Sequence, residues 1–266
     1  VSEIEVRPPR FGEAGRELSY GSYLRIPELL DLQSLLSKPP AHDELLFIVV
    51  HQAYELWFRL ILFELETVRD RLFAGDTRRA GHLLGRVHAI ERILIEHIGV
   101  VETMTPQDFL EFRSNLAPAS GFQSVQFREI EFLSGLKEPG LIRRLAEDEV
   151  ERARLERRLG EPTLWEAFCS LMDSRGLPMP SDDEGTRRAS ILRMMRAEDF
   201  AELFDTAESL LSHDELFNLW RHHHVLMVER QIGGKTGTGG STGATYLHST
   251  LGKRFYPELW DARSYL

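Results

Sequence analysis

Apolar residues recur three and four positions apart through most of the chain, each run bounded by Asp, Ser, Thr, Pro or Gly, while the alternating stretches that make strands are scarce. The pattern predicts a nearly all-helical protein. The segment "DELLFIVVHQAYELWFRLILFELETVRDRLF" predicts a long helix over residues 43–73, with Asp43 as N-cap and Gly75 just past its end. Its apolar surface is broad enough to place it in the core. A second helix is expected over Thr77–Val101, a shorter one over Pro106–Leu116 behind the cap "TP", and a fourth over residues 122–135 after the break "APASG". Four such helices in series imply a helical bundle.

Residues 138–196 are less regular. "EDEVERARLERR" reads as a solvated helix and "SRGLPMPSDDEGTRR" as a connector with no core pattern, so variable structure is expected there. Helical periodicity resumes at residue 197 and runs to 233, with a break expected at Ser212, His213 and Asp214. There is no internal repeat. The expected architecture is all-α, one domain over residues 1–266 with a small helical excursion in the middle.

Composition narrows the class without changing this picture. With 266 residues, 42% of them hydrophobic, the chain can bury one sizeable core or two small ones. A formal net charge of −10 repels phosphate backbones, and no stretch mixes clustered Lys and Arg with aromatics, so nucleic acid is not an expected partner. No apolar run is expected to approach the roughly 20 residues of a membrane span, and "VSEIEVRPPRFGEAGRELS" lacks a signal peptide's pattern. A cytoplasmic protein without a membrane partner is expected. The single cysteine, Cys169 in "LWEAFCSLM", can form no internal bridge and reads as a buried structural thiol.

Candidate chemistry concentrates in four places. On a helix, "DELFNLWRHHHVLMVERQ" puts Phe217, Trp220, His224, Met227 and Val228 on one stripe, and Asn218, His222 and Glu229 on a polar one. His222 is then solvated, while His223 and His224 both remain candidates for burial. Each is either a core histidine satisfied by a hydrogen bond or a ligand to metal or haem. Three consecutive histidines lack the i, i+4 geometry of a zinc site, whereas haem brings four nitrogens of its own and asks the protein for one axial bond.

His51 shares a helical stripe with Phe47, Tyr54 and Phe58, and is either hydrogen-bonded in the core or functional. Arg113, among Phe109, Leu110, Phe112 and Leu116, needs an anion, from an internal carboxylate or from a ligand. The loop "GGKTGTGGSTG" satisfies neither G-x-G-x-x-G nor a P-loop frame. It is either a surface linker or a lid whose hydroxyls, on Thr236, Thr238, Ser241 and Thr242, become donors once it folds down.

Together "YGSYL", "HDELLFIVVHQAYELWF", "TPQDFLEFRSNLAPASGFQS", "LWRHHH", "GTGGSTG" and "FYPELWDARS" resemble the tryptophan 2,3-dioxygenases, in order and from Tyr20 to Ser264. The resemblance implies b-type haem held between core helices, with O2 as co-substrate and L-tryptophan as substrate. It implies His224 as proximal iron ligand and His51 as the distal histidine that hydrogen-bonds the indole N–H. Arg113 would pair with the substrate carboxylate and Thr238 would contact the amino acid's polar end. Phe47 would line the indole pocket, and Phe109 stands where some members have a tyrosine. Ser120 and Gly121 would lie against the cofactor. Tyr20, Tyr23 and Leu24, within a segment spanning residues 1–42, would enter a neighbouring subunit's site in a homotetramer. The implied reaction opens the indole C2–C3 bond to give N-formylkynurenine, the first step of tryptophan degradation by the kynurenine route. A related scaffold that inserts one oxygen into tryptophan or a β-substituted tryptophan, giving an oxindole-type product, is the alternative.

Overall fold

A computed structural model of the chain describes residues 18–145, 149–238 and 243–266. The expected N-terminal segment before residue 18, and residues 239–242 of the glycine-rich loop with Ser241 and Thr242, lie outside the described residues. The described residues form helices and connecting turns and contain no strand.

Two short helices come first among the described residues, α1 (Tyr20–Leu24) and α2 (Ile26–Leu30), followed by an extended stretch. The long pair α3 (Glu44–Phe73) and α4 (Thr77–Val101) pack together across a tight turn, where Gly75 takes φ 75° and the Asp76 carboxylate accepts from Arg79 N at 3.0 Å. Helix α5 (Pro106–Leu116) starts behind a Thr105–Asp108 capping box, as its "TP" signature predicts. The fourth expected helix is split: a 3₁₀ turn over Gly121–Gln123 precedes α6 (Val125–Ser134), because the Ser124 hydroxyl caps α6 by accepting from Phe127 N. The remaining elements are α7 (Pro139–Leu145), α8 (Glu149–Gly160), α9 (Leu164–Ser174), α10 (Glu184–Arg196), α11 (Ala201–Ile232), α12 (Ala244–His248) and α13 (Pro257–Ala262).

Helices α3, α4 and α11 make the centre of the bundle. Ile61, Leu65 and Val68 meet Leu84, Val87 and Leu210 in one buried cluster, all with negligible exposure. A smaller cluster of Val50, Val101, Met104, Phe109 and Phe112 closes one end.

Four expectations need correction. The break at Ser212–Asp214 does not occur, since α11 is continuous over 32 residues. Its polar residues serve tertiary contacts and leave the backbone helical. The Ser212 hydroxyl donates to the Glu208 carbonyl, and His213 sits with Nδ1 2.6 Å from Glu91 and Nε2 2.9 Å from Ser134. Asp214 Oδ2 accepts from Phe255 N, Tyr256 N and Trp260 Nε1 at 3.0, 3.2 and 2.9 Å. The sequence Ser, His, Glu mimics a nucleophile relay, but Ser134, His213 and Glu91 are buried to 2% exposure or less, so the trio interlocks α6, α11 and α4.

Secondly, the middle of the chain belongs to the core. Phe168, Leu171 and Met172 of α9 and Leu177 and Met179 of the expected connector lie in the main cluster, and on α8 Leu155 and Arg158 are buried. Arg158 is kept there by Glu66 and by Glu161, the latter at 2.8 Å, while Arg152, Glu156 and Arg157 stay exposed as the solvated pattern predicts. Thirdly, α3 buries only one face. Leu45, Val49, Leu56 and Phe63 stay exposed along it, and although it is long and apolar enough to cross a membrane, its other face carries core contacts with α4 and α9. Finally, Asp43 occupies the N-cap position but makes no capping bond, because its carboxylate pairs with His42 Nδ1 at 2.6 Å.

Cys169 is half-buried, and burial pushes its thiol up to about 12. Replacement of Asp214 by Ala would strand three donors at the junction of α11 and α13. A loss of about 3 kcal/mol of stability is expected, read as a lowered urea midpoint by circular dichroism; an unchanged midpoint would mean the junction is not held by this carboxylate.

Candidate functional site

Between α3, α4, α5, α6 and α11 the bundle leaves a cavity of about 290 Å³. Its wall is mostly aromatic and aliphatic: Phe47, Tyr54, Phe58, Phe109, Phe127, Trp220, Val225 and Met227 all line it. Such a surface accepts a flat apolar group, and the few polar groups on it then fix orientation.

Two of those polar groups are histidines. Helix α11 presents His224 one turn after Trp220, and the two rings stack with centroids 5.0 Å apart and planes 10° from parallel. Burial, with His51 nearby adding to the effect, holds His224 down to about 4, so its imidazole is neutral. The ambiguity of the helix wheel is thereby resolved: His222 and His223 face outward with Leu219 and Leu226, and His222 Nδ1 bonds to the Asn218 carbonyl at 2.9 Å. Asn218, expected on the polar stripe, is instead buried and donates to the Leu251 carbonyl.

On α3, His51 lines the same cavity. Burial lowers its pKa against the opposing influence of the Phe47 carbonyl, which lies 2.7 Å from Nδ1. A carbonyl can only accept, so Nδ1 carries the proton and Nε2 remains the ring's acceptor. Phe47, one turn earlier, lies over the His51 ring with centroids 4.0 Å apart and packs against Phe109 and Phe112.

Arg113 enters from α5. Among the described residues no carboxylate pairs with it, which removes the internal salt bridge. Instead its Nη2 donates to the Thr236 carbonyl, and its buried Nε has no partner. The glycine-rich loop is therefore folded against the site through residue 238, with the Thr238 hydroxyl donating to the Ala119 carbonyl at 2.7 Å. Gly243 closes it at φ 60°, where a Cβ would lie 2.6 Å from the Lys235 carbonyl oxygen, so a side chain does not fit. Ser120 and Gly121 line the cavity beside Ala119.

Phe47, His51, Phe109, Arg113, Ser120, Gly121, His224 and Thr238 thus share one cavity. Tyr20, Tyr23 and Leu24 do not reach it within this chain; they sit exposed on α1. Sequence reasoning did not single out four charged residues that line the same cavity, Glu55, Arg128, Glu131 and Arg221. The available signal was a charged i, i+3 pair inside the apolar run "VQFREIEFL" and an arginine three residues before His224.

A sequence profile described as tryptophan 2,3-dioxygenase matches residues 7–167 and 182–266, omitting part of the expected variable stretch. A tryptophan 2,3-dioxygenase of a Nocardioides species is 54% identical over 261 residues, covering 96% of this chain and 97% of that protein. One of Herpetosiphon aurantiacus is 45% identical over 93% of this chain and 98% of its own length, and one of Serratia proteamaculans 38% identical over 94% and 93%. With its motifs assembled around one cavity and its relatives matched nearly end to end, the chain belongs to the tryptophan 2,3-dioxygenase family.

Proposed function

We propose that this protein is a haem-dependent dioxygenase that opens the indole C2–C3 bond of L-tryptophan with O2 to give N-formylkynurenine. The observation that carries it is the convergence on one apolar cavity of two neutral imidazoles, His51 and His224, with an arginine lacking a carboxylate partner. The residues fit haem. The residue that would hold its iron must offer a lone pair, and His224, neutral and stacked on Trp220, would offer one. No cluster of three His, Cys, Asp or Glu exists among the described residues to hold a different metal. Bound in this cavity, haem would supply the activation of O2.

The chain's own residues bind and orient the amino acid. Arg113 offers a planar fork to the carboxylate, and its free Nε is the donor available for that contact. Thr238, already held against the loop that follows α5, adds a hydroxyl at the polar end. Phe47 and Phe109 wall the indole, and the fixed tautomer of His51 leaves Nε2 to accept the indole N–H. His51 orients and does not deprotonate, since an indole N–H is far too weakly acidic for a neutral imidazole. The aromatic walls keep water from the reacting ring.

The exposed Tyr20, Tyr23 and Leu30, each about 70% accessible, and the exposed stripe on α3 support a homotetramer in which the N-terminal arm covers a neighbour's site. The lone cysteine and the net negative charge support a cytoplasmic enzyme acting on a small molecule.

Three outcomes are expected. Ferrous protein given L-tryptophan under ¹⁸O2 yields N-formylkynurenine carrying two labelled oxygens by mass spectrometry; one label would replace the dioxygenase reading by monooxygenation. His51→Ala weakens substrate binding and lowers kcat about tenfold while turnover persists, and complete loss with haem intact would make His51 an obligatory base. Sedimentation gives four times the chain mass, and Tyr23→Ala raises KM; a monomer with an unaffected variant would rule out a shared site.

A further inference from the structure

The cavity contains a charge arrangement that binding tryptophan does not use. Arg128 of α6 and Arg221 of α11 both donate to Glu131, Arg128 Nη1 to Oε2 at 2.6 Å and Arg221 Nη2 to Oε1 at 2.7 Å. All three are at most 5% exposed and all three line the cavity. Two guanidinium groups share one carboxylate, so the triad carries a surplus positive charge in a nearly dry interior. An uncompensated buried charge is costly, and an anion that arrives with a ligand relieves it.

The geometry identifies which arginine is incomplete. Arg221 turns its other side to the Lys253 carbonyl, with Nη1 at 3.3 Å. Arg128 Nε is buried and has no partner, and its guanidinium lies over the rings of Phe122 and Phe127, 4.9 and 5.1 Å from their centroids. Aromatic faces hold a guanidinium plane without satisfying its N–H groups. The other cavity carboxylate, Glu55, accepts from Gln126 at 2.7 Å and makes no ion pair with Arg128. The other cavity arginine, Arg113, belongs to the lid and its Thr236 carbonyl.

We infer that Arg128 is the counter-ion for a carboxylate on the rim of the bound macrocycle, a propionate group, with Glu131 and Arg221 as positioning residues that hold its guanidinium. The inference rests on the haem reading above. The cavity's cations then have separate roles, with Arg113 taking the substrate's carboxylate and Arg128 the cofactor's. Charge-assisted hydrogen bonds to a buried guanidinium retain a ligand well beyond what apolar contact alone does.

The test is haem retention, measured from the Soret band as haem passes to excess scavenging apomyoglobin. Wild type, Arg128→Gln and Arg128→Lys are each loaded with haem and with haem dimethyl ester, whose carboxylates are masked. Arg128→Gln is expected to speed loss of haem about tenfold and to leave loss of the ester unchanged, with Arg128→Lys in between. Wild type should likewise lose the ester faster than haem, an arm that needs no variant to fold. Equal acceleration for both macrocycles would make Arg128 a merely structural residue and overturn the assignment, as would no effect on either. A wild type with no Soret band after haem addition would instead end the haem reading itself, and this assignment with it.

Discussion

The site depends on how α11 is anchored eleven residues before His224. His213 is clamped between Glu91 and Ser134, and Asp214 collects three donors from the C-terminal segment. Together these fix the rotation and the axial position of a continuous helix. Eleven residues are close to three turns, about 16 Å, so His224 returns to nearly the face on which His213 is held. A buried polar interlock at one level of the bundle therefore aims an imidazole at another. Apolar packing alone, which tolerates sliding, would aim it less sharply.

The cavity is built in the same way. Most of its wall is carbon, which sets shape but not orientation, and direction comes from a few polar groups each fixed by a neighbour. His51 is fixed by a helix carbonyl, His224 by the Trp220 ring, Arg113 by the lid, and Arg128 by Glu131. Every one of these supports comes from the chain itself. The site's geometry is thus largely established by folding, and a ligand has little left to organise.

Much of this was legible in sequence because helices announce themselves by period and cap. Thr77–Val101 and Pro106–Leu116 are bounded as their capping residues predict, and "TP" and the Asp76 turn supply the reasons. What periodicity misjudged were polar residues whose partners lie far along the chain. Ser212, His213 and Asp214 look like a helix break until Glu91, Ser134 and Trp260 are seen beside them. Arg158 looks solvated until Glu66 and Glu161 are placed. His224 could not be told from His223 by wheel alone, because both neighbour apolar residues, and only packing shows that Leu219 and Leu226 face out. The motif resemblance implies His224, and the fold places that residue, and not His222 or His223, on the cavity wall.

The contact between Arg113 and the glycine-rich loop reaches the guanidinium through a backbone carbonyl, that of Thr236. Every amino acid carries that group. This contact with the arginine therefore does not depend on which side chain stands at position 236. At Gly243 the opposite holds, since there the backbone itself excludes a side chain. The loop thus joins a position held through its backbone carbonyl to one where the backbone excludes a side chain.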